Sequence, residues 1–261
     1  FNIPVITTRH YEQRSKNNLF YLLEDLTVKY SNSIIAISKA VKNHLVNNYV
    51  DNKKCIQIYN PITNLFKNCD RQLNENEYRI TFVGRLNHIK GIKYLIEAFE
   101  KISFKIPNSK LIIIGRDDGC KKELEDQIKK HPYKDRIVLT GFLSLEEIKE
   151  HLLSTNVYIQ PSLKEGLGIA AMEAMAMECP CIFTKIGGLV ELADNQKNAI
   201  LIPDKNSKSI SDAVIFMNEN HRHAKMMAHN AKNFIINNFN VELISNKHYD
   251  LYKKILNDRL C

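Results

Sequence analysis

Glu165 and Glu173 stand with seven residues between them in the stretch Glu165-Gly-Leu-Gly-Ile-Ala-Ala-Met-Glu173. Gly166 and Gly168 let the backbone come close to a ligand, and the helix expected after them offers free N–H groups and a positive dipole end to a phosphate. Glu173, about one and a half turns into that helix, can accept two hydrogen bonds from a vicinal diol such as ribose. Glu165, in the loop before it, is placed for hydroxyls at the other end of the same ligand. From these residues alone, a capped helix with one solvent-facing glutamate reads equally well. A second constellation is Gly84-Arg85-Leu-Asn-His-Ile-Lys90-Gly91. It falls between a strand end and a helix start, where doubly wound folds bind ligands. Arg85 and Lys90 would set two cations at that crevice. A diphosphate leaving group gains negative charge as a glycosyl bond breaks, so fixed cations there stabilise the transition state more than the ground state. Either residue alone reads as an ordinary surface cation.

The elements that must position these groups alternate clearly. Tyr78 to Gly84 reads as a strand, and Ile92, Leu95, Ile96 and Phe99 recur with the period of an amphipathic helix. Lys110 to Gly115 is a continuous apolar run, as a strand buried on both faces would be. A charged helix (121–130), a strand (136–140) and a helix opened by Ser144 with Glu147 as capping-box partner follow. Next come a strand (157–160), the Ala- and Met-rich helix (168–178), a strand (181–184), a short helix (187–194) and a strand (199–202). Short connectors between alternating strands and helices predict an α/β fold with a parallel sheet and helices on both faces. The tail is helical by pattern. Residues 1–60 repeat the grammar in miniature: a strand (3–8), a helix (15–30), a strand (33–37), a helix (38–48) and a strand (54–59). Two or three strands do not make a doubly wound domain, so this segment reads as the end of a domain whose beginning is absent, and Phe1 is not an initiator methionine. The expected organisation is a remnant of an N-terminal domain over 1–60 and a polar linker over 61–76. A second domain over 77–240 and a terminal helix over 241–261, packing back on the N-terminal part, complete it.

The 261 residues carry a net charge of +8, with 37 Lys and Arg against 29 Asp and Glu. Residues 1–72 hold ten of those basic side chains and five of the acidic ones, so the excess is concentrated there. Such a bias suits peripheral contact with an anionic membrane or an acidic substrate, and suits plain solubility as well. No aliphatic run is long enough to span a bilayer. The six cysteines lack a Cys-x-x-Cys pair, and Cys179-Pro-Cys181 has the wrong spacing for a zinc knuckle. Reduced, mostly buried thiols and a cytoplasmic location are expected.

The two constellations, together with Leu111-Ile-Ile-Ile-Gly115 and Val138-Leu-Thr-Gly-Phe-Leu143, closely resemble the C-terminal domain of group 1 (family 4) glycosyltransferases of the GT-B fold. The resemblance covers residues 78–203 well and residues 1–60 loosely. It implies two facing Rossmann-like domains, the second complete and the first truncated. It also implies a nucleotide-diphosphate sugar donor such as a UDP- or GDP-hexose. By resemblance, Glu173 contacts the ribose and Glu165 the transferred sugar, while Arg85 and Lys90, beside Gly84, hold the diphosphate. Phe142 and Leu143 meet the base, and amides around Gly168 and Ile169 meet the distal phosphate. His10, in Thr7-Thr-Arg-His10, resembles a histidine of the first domain near the transferred sugar; from its residues alone it is equally a surface histidine beside Arg9. Asn60-Pro61 stands where the family often shows Asn-Gly, and proline forbids the positive backbone angle that glycine allows. The family's early glycine-rich loop has no counterpart here.

The implied activity is a retaining hexose transfer to a hydroxyl of a glycan or lipid-linked acceptor in envelope glycan or glycolipid synthesis. The leaving phosphate itself would help take the acceptor proton. A truncated, non-catalytic nucleotide-sugar-binding module and a GT-B sugar-nucleotide epimerase are the competing readings. No Gly-x-Gly-x-x-Gly follows a strand and no Asp-x-Asp occurs, so neither a dinucleotide oxidoreductase nor a metal is implied, nor any further cofactor. Asp117-Asp118 reads as a helix N-terminus, His221 and His223 as exposed, and Met172, Met175 and Met177 as core filler. No nucleic-acid partner is expected.

Overall fold

Apolar runs too short for a membrane and too continuous for a surface become strands buried along their length. In the computed structural model, which describes residues 3–10, 26–67 and 70–258, they form two parallel sheets. The first is three-stranded: β1 (Ile6–Arg9), β2 (Ser33–Ala36) and β3 (Cys55–Gln57), in the order β1-β2-β3. Helix α1 (Lys39–Asn48) joins β2 to β3, opened by Ser38, whose hydroxyl accepts the Val41 N–H at 3.1 Å. Most of the helix expected over 15–30 lies outside the described residues; residues 26–30 are helical.

The second sheet has six strands: β4 (Tyr78–Val83), β5 (Ser109–Ile114), β6 (Ile137–Gly141), β7 (Val157–Gln160), β8 (Cys181–Thr184) and β9 (Ile200–Ile202). Their order is β6-β5-β4-β7-β8-β9. The chain therefore winds outward from β4 in one direction and, after β6, returns to β4's other side. The carboxyl ends of β4 and β7 flank that reversal, and a crevice opens there because the loops leaving them run opposite ways. The crossovers are α2 (Ile92–Lys105), α3 (Lys121–Lys129), α4 (Leu145–Leu153), α5 (Ile169–Ala176) and the one-turn α6 (Leu189–Leu192). Ser144 and Glu147 form the expected capping box on α4. Helices α7 (Ser207–Glu219), α8 (His221–Asn238) and α9 (Val241–Asn257) complete the chain.

Successive residues of a strand feed opposite cores. Leu111 and Ile113 join Ile80, Phe82, Leu95, Phe99 and Val214 on one face. Ile112 and Ile114 join Tyr158, Met172 and Met175 on the other, in a core continuous with Ile34, Ala36 and Val41 of the small sheet. Burying side chains of this size contributes roughly 2 kcal/mol each, so the two sheets share apolar packing. The small sheet's other face is covered from the far end of the chain: Ile35 and Ile58 pack with Ile244 and Leu251 of α9. The methionines at 172, 175 and 177 are fully buried core. Cys55, Cys120, Cys179 and Cys181 are buried, while Cys69 and Cys261 lie outside the described residues. One expectation is corrected: His221 is exposed, but His223 is half-buried, its ring edge-on to Phe216 at 5.9 Å. The i+2 spacing reads as two surface histidines until α7 and α8 fold against each other. Among the described residues no helix is long and apolar enough to cross a membrane.

Candidate functional site

Two loops frame the crevice between β4 and β7, and each needs a glycine where backbones meet. Loop 84–91 ends in Gly91, at φ +65°, where a Cβ would lie 2.0 Å from the carbonyl oxygen of Pro161. Leu163 N–H donates to the Ile89 carbonyl at 2.7 Å, fastening this loop to the one that follows β7. In the second loop, a Cβ on Gly166 would stand 2.2 Å from the His10 carbonyl oxygen. The end of β1 thus lies directly against the loop leaving β7, and only a residue without a side chain permits it. Across this junction sits a cleft of about 290 Å³, lined by His10, Asn60, Gly84, Arg85, Lys90, Gln160, Glu165, Gly166, Gly168 and Ile169 together with Ile37, Val83, Leu167 and Ala170.

The cleft's charges are paired. Lys90 Nζ donates to Glu165 Oε2 at 2.6 Å, with the two side chains only 13% and 12% exposed. The same oxygen accepts from Ser162 Oγ at 3.1 Å and Gln160 Nε2 at 3.3 Å. Behind it, the Tyr158 hydroxyl donates to Gln160 Oε1 at 2.5 Å, and the Thr184 hydroxyl donates to the Ser162 carbonyl at 2.6 Å. Burial raises the Tyr158 phenol well above its usual range, with smaller contributions from the nearby Cys181, Glu173 and Glu165. It therefore remains a neutral donor. Arg85, more open, pairs with Asp118 at 3.1 Å. Helix α5 begins at Gly168 with no side-chain cap, so the N–H groups of its first turn have no acceptor within the helix.

Arg85, Lys90, Glu165, His10, Gly84, Gly166, Gly168 and Ile169 thus share one cleft. Three other expected residues stand outside its lining. Glu173 lies on α5 beyond Ala170, 7% exposed, and burial pushes its carboxyl up to about 7. It is not the solvent-facing glutamate of a plain capped helix. Among the described residues its side chain makes no hydrogen bond. Phe142 and Leu143 follow β6, the edge strand: Phe142 is 77% exposed and Leu143 half-buried. Gly115 N–H donates to the Gly141 carbonyl at 2.9 Å and Gly84 N–H to the Ile114 carbonyl at 2.9 Å. The ends of β4, β5 and β6 therefore form a glycine-lined shelf running from the cleft toward Phe142.

Several contributors carry no advance signal in the sequence. Asp117 does cap a helix start, its Oδ1 accepting the N–H groups of Gly119, Cys120 and Lys121. Asp118 instead holds Arg85 and accepts from Asn87 Nδ2 at 2.7 Å. Asn60 lines the cleft, although the adjoining proline marked only the backbone there. Glu191 of α6 reaches the other sheet's helix: its carboxylate accepts the Lys39 N–H at 2.9 Å, the Ala40 N–H at 2.8 Å and the Tyr59 hydroxyl at 2.9 Å. One acid thus caps a helix 152 positions earlier and ties the two halves of the cleft together.

The family model described as "Glycosyl transferases group 1" matches residues 67–234. An uncharacterized glycosyltransferase of Methanocaldococcus jannaschii is 29% identical over 246 residues, covering 89% of this chain and 63% of that one. The UDP-Gal:alpha-D-GlcNAc-diphosphoundecaprenol alpha-1,3-galactosyltransferase of Escherichia coli is 32% identical over 187 residues, which is 69% of this chain and 46% of its own length. The chain therefore spans less than two thirds of either relative. The structure of Anabaena Alr3699/HepE in complex with UDP-glucose matches with a TM-score of 0.86 at 20% identity, over 96% of this chain and 72% of that one. At that identity the likeness is one of fold, and the fold is GT-B.

Proposed function

The chain belongs to the group 1 glycosyl transferases, and on that premise we propose that it binds a nucleotide-diphosphate hexose for retaining transfer to a hydroxyl acceptor. The observation that supports this most is that Arg85, Lys90, Glu165 and His10 line one cleft beside an uncapped helix start. The donor diphosphate draws Arg85 from Asp118 and Lys90 toward itself, and Glu165 turns to hydroxyls of the sugar. Amides at Gly168 and Ile169 meet the distal phosphate. Glu173 accepts the ribose diol, and Phe142 with Leu143 lies along the base at the end of the glycine-lined shelf. His10 donates a hydrogen bond from the opposite sheet.

As the bond from the anomeric carbon to the phosphate oxygen breaks, charge collects on the diphosphate between Arg85 and Lys90, which are already in place. The acceptor oxygen bonds to the anomeric carbon on the face the diphosphate leaves, and its proton passes to the departing phosphate oxygen. No carboxylate nucleophile is needed. A glycan or lipid-linked acceptor fits the name of the Escherichia coli relative. The basic excess of residues 1–72 suits an anionic membrane surface.

Calorimetric binding of UDP, GDP and ADP tests the donor assignment. One of the three binds, and Arg85→Ala weakens it at least tenfold, about 1.4 kcal/mol. Equal binding by wild type and variant would remove the diphosphate from this cleft. Glu173→Ala weakens the nucleoside diphosphate but leaves inorganic pyrophosphate binding nearly unchanged.

A further inference from the structure

His88, Cys120 and Glu123 meet at a point outside the lining of the donor cleft. His88 opens the short turn His88–Lys90, Cys120 immediately precedes α3, and Glu123 is in the first turn of α3. One ligand atom from each lies within 4.8 Å of the other two, and His88 Nδ1 stands 3.6 Å from Glu123 Oε2. The nook between them holds about 10 Å³, about the room one water or one ion needs, and is walled by Asn87, Ile92 and Leu124 as well. Asn87 supplies an independent sign. Its Oδ1 is buried and accepts no hydrogen bond among the described residues, while its Nδ2 is committed to Asp118. A buried acceptor left unmatched costs about 1–3 kcal/mol unless something fills the need.

The surrounding charge also favours a cation. Asp117 accepts the Cys120 N–H at 3.2 Å and Asp118 accepts from Asn87 Nδ2 at 2.7 Å, so two carboxylates flank the nook beside Glu123, and a bound metal deprotonates a coordinating thiol outright. Opposing it, Lys93 also lines the nook, its ammonium lying over the Tyr94 ring at 5.0 Å.

We propose that His88, Cys120 and Glu123 bind one divalent ion of the zinc class, with Asn87 Oδ1 or a water as the fourth ligand. The donor set of imidazole, thiolate and carboxylate suits zinc and excludes magnesium and calcium, which take oxygen ligands only. Zinc bond lengths require the three side chains to close by about 1 Å, a movement that the exposed His88 and Glu123 can make. Binding displaces the Cys120 proton to solvent. The bound ion clips the loop that carries Arg85 and Lys90 to the start of α3.

The test uses the full, untagged chain, reduced and stripped of metal, titrated with zinc against a chromophoric chelator. Wild type takes up one zinc tightly, magnesium does not compete, and cobalt in place of zinc shows the near-ultraviolet charge-transfer band of a thiolate ligand. Cys120→Ser abolishes that band. His88→Gln and Glu123→Gln, both at exposed positions, each weaken zinc about a hundredfold and report on the site even where the buried cysteine variant fails to fold. Zinc affinity unchanged in both exposed variants, or no uptake by wild type, overturns the proposal.

Discussion

Glu165 and Glu173 belong to one short stretch, yet their surroundings are opposite. Glu165 stands in a loop where a neighbouring loop delivers Lys90, and Gln160 and Ser162 add two further donors to the same carboxylate oxygen. Glu173 stands on a helix buried on nearly every side, among Ala171, Met172, Ala174 and Met175, with no hydrogen bond to its carboxyl among the described residues. Both are almost excluded from water. In the first case the chain supplies what water would have supplied. In the second it supplies nothing, and the carboxyl is driven toward neutrality, up to about 7. A buried acid left without partners is expensive to keep, and such groups cluster where a ligand completes the set. The difference separates a carboxylate already held in geometry from one left without a hydrogen-bond partner among the described residues.

The largest effect should come from breaking the paired side of this comparison. Lys90→Met leaves Glu165 buried without its counter-ion and costs about 4 kcal/mol in urea denaturation at pH 7. The double variant Lys90→Met with Glu165→Leu recovers most of that loss. An equal or greater loss in the double variant would mean that the pair is not coupled as the 2.6 Å contact implies.

The unpaired side predicts a pH dependence of stability. Below about pH 4.5 Glu173 is protonated whether the chain is folded or not. Between that pH and about 7, only the unfolded chain releases the proton, so stability falls as pH rises through this window and is flat above it. The full loss is about 3 kcal/mol. Glu173→Gln therefore stabilises the unliganded chain at pH 8 by up to that amount, with the gap closing toward pH 4.5. A constant difference across the range would show that Glu173 does not titrate in this window. A smaller effect separates the ion pair from its neutral donors: Ser162→Ala removes one hydrogen bond to Glu165 and costs about 1.5 kcal/mol in the same denaturation assay, well below Lys90→Met.

Much of the fold is legible because its causes are local. Strand 157–160 and strand 181–184 stand where apolar runs end in polar turns, and the capping box at Ser144 forms because a serine and a glutamate three residues apart meet at any helix start. Boundaries elsewhere shift by one to three residues, most at the first strand, expected from residue 3 and beginning at Ile6. The cleft's main cations and the acid Glu165 were also visible, because glycines beside them mark strand exits. The partners of those groups were not. Asp118 lies 33 positions from Arg85, Glu165 lies 75 from Lys90, and Glu191 reaches back 152 to Lys39. Pairing over such distances depends on strand order, which periodicity leaves open.

The amino-acid sequence by itself determined which segments become strands and helices, which faces are apolar, and which strand exits carry charge, since each follows from the neighbours of a residue along the chain. Only the tertiary structure decided that β7 returns beside β4, that the end of β1 lies on Gly166, and that His88 meets Cys120 and Glu123 although no metal-binding spacing joins them. The physical reason is the same in all three. Burial of two sheet faces at once is met here by one strand order, and that order brings together loops far apart in the chain.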